Sequence, residues 1–183
     1  MDAECKNAFE STHTESTAWD SSWPEWLSLD EQYGILNYFE RRFSINQAVF
    51  GEYRWWKDGH SYGVVSRSEH LDDLASMRVN KAGMAILHRI KGYLKPTTNA
   101  IQIFGQTAKK NVLDIGRDVL LNLLEKRTVM MAWSDEEGYV ILRYEGIILG
   151  CGLALKDRLM HQLPRWMVQN LLAALSADNR SLK

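Results

Sequence analysis

The chain has 183 residues, of which 45% are hydrophobic and 25% charged, and its formal net charge is −1. This length suffices for one ordinary domain or two small packed domains, and no run of the sequence is apolar enough to span a bilayer. Two cysteines exclude a disulfide framework and a cysteine-based zinc site. The start of the sequence has neither a basic nor an apolar leader region, so a cytoplasmic location is expected.

The charge is distributed unevenly along the chain. Residues 1–31 contain eight acidic side chains and one lysine, whereas the remainder contains 15 acidic side chains and 21 Lys or Arg, a net charge of +6. Residues 1–25 are rich in Ser, Thr and Glu without periodicity, which predicts an acidic disordered tail. Trp19, Trp23 and Trp26 are exceptions. The favoured interpretation is that Trp23 and Trp26 hold the first helix to the core, and docking of the three tryptophans on the body or on a partner is the alternative. The asymmetry suggests a body that binds polyanions.

In residues 26–92, local signals indicate a small α/β domain. Ser28-Leu-Asp-Glu31 is a capping-box pattern that predicts the start of a helix, and apolar residues follow at helical spacing: Leu29, Tyr33, Ile35, Leu36, Phe39 and Phe43. Asp58-Gly59 predicts a hairpin between residues 49–57 and 60–66. A second capping box at residues 66–69 predicts a short helix, and residues 84–90 are typical of a strand.

Residues 95–98 are typical of an interdomain joint, and residues 93–176 indicate a mostly β domain. The predicted elements are a strand at 100–104, a turn or short helical segment carrying Lys109 and Lys110, an apolar run at 112–115, a helix at 117–127, a strand at 128–133, an acidic turn at 134–138, a hairpin turning at Glu145-Gly146, and a final helix from Pro164 through Leu175. Residues 177–183 are expected to form a carboxy-terminal tail.

The second half carries a family resemblance. Residues 140–165 read V-I-L-R-Y-E-G-I-I-L-G-C-G-L-A-L-x(3)-L-x-H-Q-L-P-R, which resembles the PUA-like tail of RsmF-type rRNA cytosine-5 methyltransferases of the Sun/Fmu class. The order of elements upstream resembles the pre-PUA domain of small ribosome-assembly factors. The resemblance implies an α+β protein in which a pre-PUA-like α/β domain precedes a mostly β PUA-like pseudobarrel with flanking helices.

A methyltransferase of this class needs a Gly-rich cofactor loop and a Pro-Cys nucleophile, and the sequence contains neither. Cys5 has no neighbouring proline, and Cys151 lies between glycines in a predicted strand, where a small buried residue is expected. P-loop, serine-hydrolase and zinc-protease motifs are also absent. The five histidines show no helical pairing that would converge on a metal. We therefore expect a non-enzyme without cofactor or metal.

Basic residues at the ends of predicted elements are the candidate RNA-binding site. These residues are Lys109, Lys110, Lys156, Arg158, His161 and Arg165. Arginine offers a planar fork to a phosphate and lysine a compact charge, and the resemblance implies RNA as the polyanion. For His161, a surface position without a role is the equal alternative. We expect the five Lys and Arg residues to share one face. Trp55 and Trp56 adjoin in a strand and should face opposite sides, one in the core and the other able to stack on a base.

The expected function is non-catalytic binding of structured RNA, rRNA or tRNA, in ribosome assembly or as an RNA-targeting module for RNA modification. Expected partners besides RNA are ribosome-assembly proteins or an RNA-modification enzyme. No association with a membrane is expected, and the protein is expected to be a monomer. Two alternatives are an adaptor that binds an assembly partner through an exposed apolar patch and an enzyme with an unrecognised site.

Overall fold

The computed structural model describes residues 25–76, 79, 82–133 and 136–181, so the predicted acidic tail lies almost wholly outside it, as do Trp19 and Trp23. Within these residues the chain forms two five-stranded sheets and four α-helices, which confirms the α+β class. Across the same ranges, the helices are too short or too polar for any of them to traverse a bilayer.

The first sheet follows chain order and is antiparallel throughout. Its strands are β1 (Glu25–Trp26), β2 (Tyr53–Lys57), β3 (Ser61–Ser66), β4 (Met84–Ile90) and β5 (Tyr93–Pro96), and they are joined by helix α1 (Leu29–Phe43) and two 3₁₀-helices (Gln47–Phe50 and Leu71–Ser76). Because β5 pairs with β4, this sheet extends beyond the expected domain boundary between residues 92 and 93.

Helix α1 begins with the predicted capping box. The Glu31 N–H donates to Ser28 Oγ at 3.3 Å, and the Glu31 carboxylate accepts from the Ser28 N–H at 3.0 Å. The helix buries Ile35, Phe39 and Phe43. Leu29 and Tyr33 are exposed, so the core-facing stripe is narrower than the apolar pattern of the sequence indicates.

The hairpin at Asp58-Gly59 is confirmed, because β2 and β3 pair on either side of it. The Asp58 carboxylate accepts from the N–H groups of His60 and Ser61 at 2.7 and 2.6 Å, which fixes the turn locally. The first strand of this hairpin, β2, begins at Tyr53 and not at the predicted residue 49. Residues 47–50 form a 3₁₀-helix that is capped by the Asn46 side chain and buries Phe50.

The second sheet has the order β6-β8-β9-β10-β7. Strand β6 runs parallel to β8, and the other neighbours are antiparallel. The elements of this half are α2 (Thr98–Phe104), a 3₁₀-helix (Gly105–Thr107), β6 (Val112–Asp114), α3 (Arg117–Lys126), β7 (Thr128–Met130), β8 (Gly138–Tyr144), β9 (Ile147–Leu155), β10 (Arg158–His161) and α4 (Arg165–Ser181). Positive φ angles at Glu145 and Gly146 fit the predicted two-residue turn between β8 and β9.

The predicted strand at residues 100–104 is wrong. These residues lie in α2, which begins where the Thr97 side chain accepts the Ala100 N–H. The sequence here is an apolar run in which Gln102 is the single polar residue, but Ala100, Ile101 and Phe104 are buried at helical spacing while Ile103 is exposed. The strand predicted at 128–133 ends at Met130, and residues 134 and 135 of the predicted acidic turn lie outside the described residues.

The two sheets share a hydrophobic core. One buried cluster contains Phe39 from α1, Trp55 from β2, Ile101 from α2 and Ile141 from β8. A second cluster packs the other part of the second sheet against α3 and α4 and includes Leu120, Leu124, Leu142, Leu159 and Leu175. Because the first cluster draws side chains from both sheets, burial of its apolar surface holds the halves in a single arrangement.

Arg42 adds a polar connection at the same junction. Its buried guanidinium donates from Nε to the Tyr139 carbonyl at 2.7 Å and from both terminal nitrogens to the Glu136 carbonyl at 3.2 Å. The last carbonyls of α1 also accept hydrogen bonds from the second half of the chain. The Asn111 side-chain amide donates to the Arg42 carbonyl, and the backbone N–H groups of Lys109 and Lys110 donate to the Phe43 carbonyl. The carboxyl end of α1 is thus capped by the second half of the chain.

We predict that Arg42→Ala lowers the free energy of unfolding by about 3 kcal/mol, because it removes a charged donor that satisfies two backbone carbonyls. Arg42→Lys keeps the charge but has a single donor nitrogen instead of the planar fork, so it should recover only part of this loss. Urea unfolding followed by tryptophan fluorescence measures both variants. A loss below about 1 kcal/mol for Arg42→Ala would show that the apolar cluster alone holds the junction.

Candidate nucleic-acid interface

Lys109 and Lys110 lie in the loop between the 3₁₀-helix and β6. Their backbone N–H groups donate to the Phe43 carbonyl at 3.0 and 3.1 Å, which fixes the loop against α1. Both side chains are exposed and make no ion pair with another described residue. Two adjacent cations are therefore held at a fixed position while their charged groups remain in solvent.

Lys156 and Arg158 flank Asp157 in the tight turn between β9 and β10. Both are exposed, and Arg158 lies 3.6 Å from the Asp157 carboxylate. The Glu137 carboxylate accepts the Lys156 N–H at 2.8 Å. This turn is consequently less positive than its two cations alone would make it.

Strand directions bring these four cations to one end of the second sheet. Strands β6 and β10 both run parallel to β8, and the loop before β6 and the turn before β10 lie toward the end where β8 begins. We call Lys109, Lys110, Lys156 and Arg158 the sheet-end cations. Arg165 is not among them. It is exposed at the first position of α4 and follows Leu163, which packs beside Gly150 in the half of β9 that lies away from these cations.

His161 is buried, with 8% of its surface exposed, and it does not face solvent as a phosphate donor would. Its Nδ1 accepts the Leu163 N–H at 3.2 Å, and its own N–H donates to the Arg127 carbonyl. Burial lowers the pKa of His161, and the positive charge of Arg127 acts in the same direction. The side chain is a neutral structural element that orders the segment between β10 and α4.

The predicted stacking role of one tryptophan in β2 is wrong. Trp55 and Trp56 face opposite sides of the first sheet, as expected, but both are buried, at 2% and 4% exposed. The Trp56 ring packs against Gly63 in the neighbouring strand. A side chain at position 63 would clash, because its Cβ would lie only 2.0 Å from the ring. Trp56 therefore forms part of a wall and is buried too deeply to stack on a base.

That wall belongs to a cleft that the sequence did not predict. The cleft has a volume of about 800 Å³ and lies between the Trp56 face of the first sheet and the segment that joins β10 to α4. Its lining includes Lys95 from β5, Arg127 from the end of α3, and Trp166 from α4. These three residues are far apart in the sequence and lie in different elements, so no local sequence motif predicts that they meet.

The floor of the cleft is a row of paired residues across three strands. Ser61 pairs with His88, and His88 pairs with Lys95. The Ser61 hydroxyl lies 3.0 Å from His88 Nδ1, and Lys95 Nζ donates to Gln162 Oε1 of the opposite wall at 2.9 Å. The lining carries one carboxylate, Asp58, which already accepts two backbone N–H groups. Positive groups therefore dominate the cleft.

Cys151 fits the expected structural role. It is buried in β9, and burial raises the pKa of its thiol to about 12, so the reactive thiolate does not form near neutral pH. The sulfur belongs to the shared apolar cluster. Nothing about this environment provides the activated thiol that a cytosine-5 methyltransferase requires.

Residues 110–169 match the family model of the PUA domain of the methyltransferase RsmF. The matched segment contains strands β6 to β10 and the start of α4. This match confirms the resemblance to the PUA-like tail of RsmF-type methyltransferases and supports an RNA-binding module. The matched family is the PUA domain and not the catalytic domain. No curated protein matches the chain.

We predict that His161→Asn reduces the loss of stability on acidification. An unfolded histidine protonates near pH 6.5, whereas the buried ring resists protonation, so the wild-type protein loses stability as the pH falls below about 6.5. Asparagine keeps an acceptor for the Leu163 N–H and does not titrate. Urea unfolding at about pH 7 and about pH 5 compares the two proteins. An identical pH dependence would contradict the assignment of His161 as a buried neutral group.

Proposed function

We propose that this protein is a non-catalytic RNA-binding module that positions structured RNA. The observation that carries the proposal is the match of residues 110–169 to the RsmF PUA domain, a segment that also contains most of the sheet-end cations. The net charge of +6 outside the first 31 residues supports it, since a basic body favours a polyanion. We further propose rRNA or tRNA as the target, in ribosome assembly or as a targeting module for an RNA-modification enzyme in the cytoplasm.

The proposed mechanism is positioning by charge and shape. Lys109, Lys110 and Lys156 have no ionic partner among the described residues, so each is available to neutralise a phosphate. The loop and the turn that carry the sheet-end cations are fixed by backbone hydrogen bonds, so the cations are presented with a defined spacing. Phosphate contacts of this kind fix the orientation of an RNA and carry little sequence information.

We predict that replacing two sheet-end cations makes the salt dependence of RNA binding shallower. Each lost phosphate contact reduces the slope of log K against log salt by about 0.7 for single strands and about 0.9 for duplexes. Lys156→Ala with Arg158→Ala should therefore reduce the slope by about one to two, and Lys109→Ala with Lys110→Ala should do the same. Fluorescence anisotropy with a labelled RNA hairpin at several salt concentrations measures the slope.

The matched control removes the same charge elsewhere. The control is Arg54→Gln with Arg67→Gln. Arg54 lies in β2 and pairs with Asp72 at 2.6 Å, and Arg67 directly follows β3 and donates to the Gly51 carbonyl. This pair should leave the slope unchanged. If all three double variants keep the wild-type slope, the sheet-end cations do not contact phosphate.

The adaptor function remains the second candidate because α1 has an exposed apolar face. Leu29 and Tyr33 lie one turn apart and are both largely exposed. Such a pair suits a protein partner better than a phosphate backbone. Leu29→Ser with Tyr33→Ser distinguishes the two functions: it should leave RNA affinity unchanged under the RNA-binding proposal and abolish capture of an assembly partner under the adaptor proposal.

A further inference from the structure

We propose that the cleft between the two halves binds an unpaired nucleotide of the RNA, with its base on Trp166 and its phosphate between Lys95 and Arg127. This inference rests on the proposed RNA-binding function and assigns a site to it. It differs from that function in naming a concave site outside the sheet-end cations and a ligand that a fully paired RNA does not offer.

The size and charge of the cleft fit this ligand. A volume of about 800 Å³ lies within the range of about 300–1,000 Å³ that ligand clefts occupy. Lys95 and Arg127 form no ion pair with another described residue, and the one lining carboxylate, Asp58, is engaged in its own turn. The bond from Lys95 to Gln162 joins a cation to a neutral amide, so a phosphate is the stronger partner for the lysine.

The cleft that contains these cations is also lined by an exposed aromatic side chain. Trp166 lines the cleft with 60% of its surface exposed, which is unusual for the largest apolar side chain. Tyr93 is also exposed, and the alternation of β5 places it on the same face as Lys95. Aromatic rings next to cations are the combination by which proteins hold unpaired nucleotides, since every base has a face that can stack.

The cleft favours an unpaired nucleotide over a duplex. Inside a helix each base is stacked on both sides by its neighbours, so its faces are closed to Trp166. A base that projects from a loop, a bulge or a strand end enters a concave site with a free face. The row from Ser61 to Lys95 forms the floor on which such a nucleotide would lie, and the buried Trp56 closes the adjoining wall.

The test compares two RNAs that differ in one feature. A blunt RNA hairpin and the same hairpin with a short single-stranded 3′ extension are titrated with the full chain and its variants by fluorescence anisotropy. Wild type should bind the extended hairpin more tightly. Trp166→Ala should weaken binding of the extended hairpin by about 5- to 150-fold, the range of one lost base stack, and leave the blunt hairpin unaffected.

Two further variants separate stacking from structure. Trp166→Phe keeps an aromatic ring and should retain most of the preference for the extended hairpin. Lys95→Gln should weaken binding of the extended hairpin and make its salt dependence shallower, because it removes a phosphate contact. Lys156→Ala with Arg158→Ala should weaken binding of both hairpins alike.

The possible failures are distinguishable. If wild type binds RNA but Trp166→Ala binds both hairpins as wild type does, the cleft assignment is wrong and the proposed function stands. If wild type binds neither hairpin, nor a single strand of the same sequence, the proposed function fails and the cleft assignment fails with it.

Discussion

The junction between the carboxyl end of α1 and strand β8 is the contact on which the rest of the structure depends. Phe39 and Phe43 bury their rings in a cluster that also contains Ile141, and Arg42 satisfies the carbonyls of Tyr139 and Glu136. Removing a guanidinium from water costs free energy unless its N–H groups find acceptors, and carbonyls at the start of β8 and just before it supply them here. Apolar burial supplies the attraction between the halves, and this fork fixes their register.

Both candidate surfaces follow from that junction. The loop carrying Lys109 and Lys110 is fixed because its N–H groups cap α1, and the same arrangement sets the first sheet opposite the segment after β10. A cleft formed by two packed halves keeps its shape only while the halves keep their packing. The cations and the exposed tryptophan are thus presented by a preorganised scaffold, which lowers the cost of ordering them on binding.

Local chemistry made much of the fold predictable from the sequence. The capping box at Ser28 and the turns at Asp58-Gly59 and Glu145-Gly146 are set by neighbouring residues, and all three are present. Residues 100–104 were misassigned because a short, mostly apolar run fits a strand as well as a helix, and the Thr97 cap and the shared core select the helix.

The candidate site was predictable only in part, because exposure is a tertiary property. A histidine among arginines gives the same sequence signal whether it is on the surface or, like His161, buried at the end of a strand. The tandem tryptophans had the expected alternation, yet the fit of Trp56 over Gly63 required the pairing of β2 with β3. Lys95, Arg127 and Trp166 are brought together by packing alone.

The measurement that tests the account most directly is ultraviolet crosslinking of the full chain to its RNA, with the crosslinked residues located by mass spectrometry. The account predicts crosslinks on the peptides containing Trp166 and Lys95, together with the peptides that carry the sheet-end cations. Crosslinks confined to the exposed face of α1, around Leu29 and Tyr33, would contradict it, since that face lies outside both proposed surfaces.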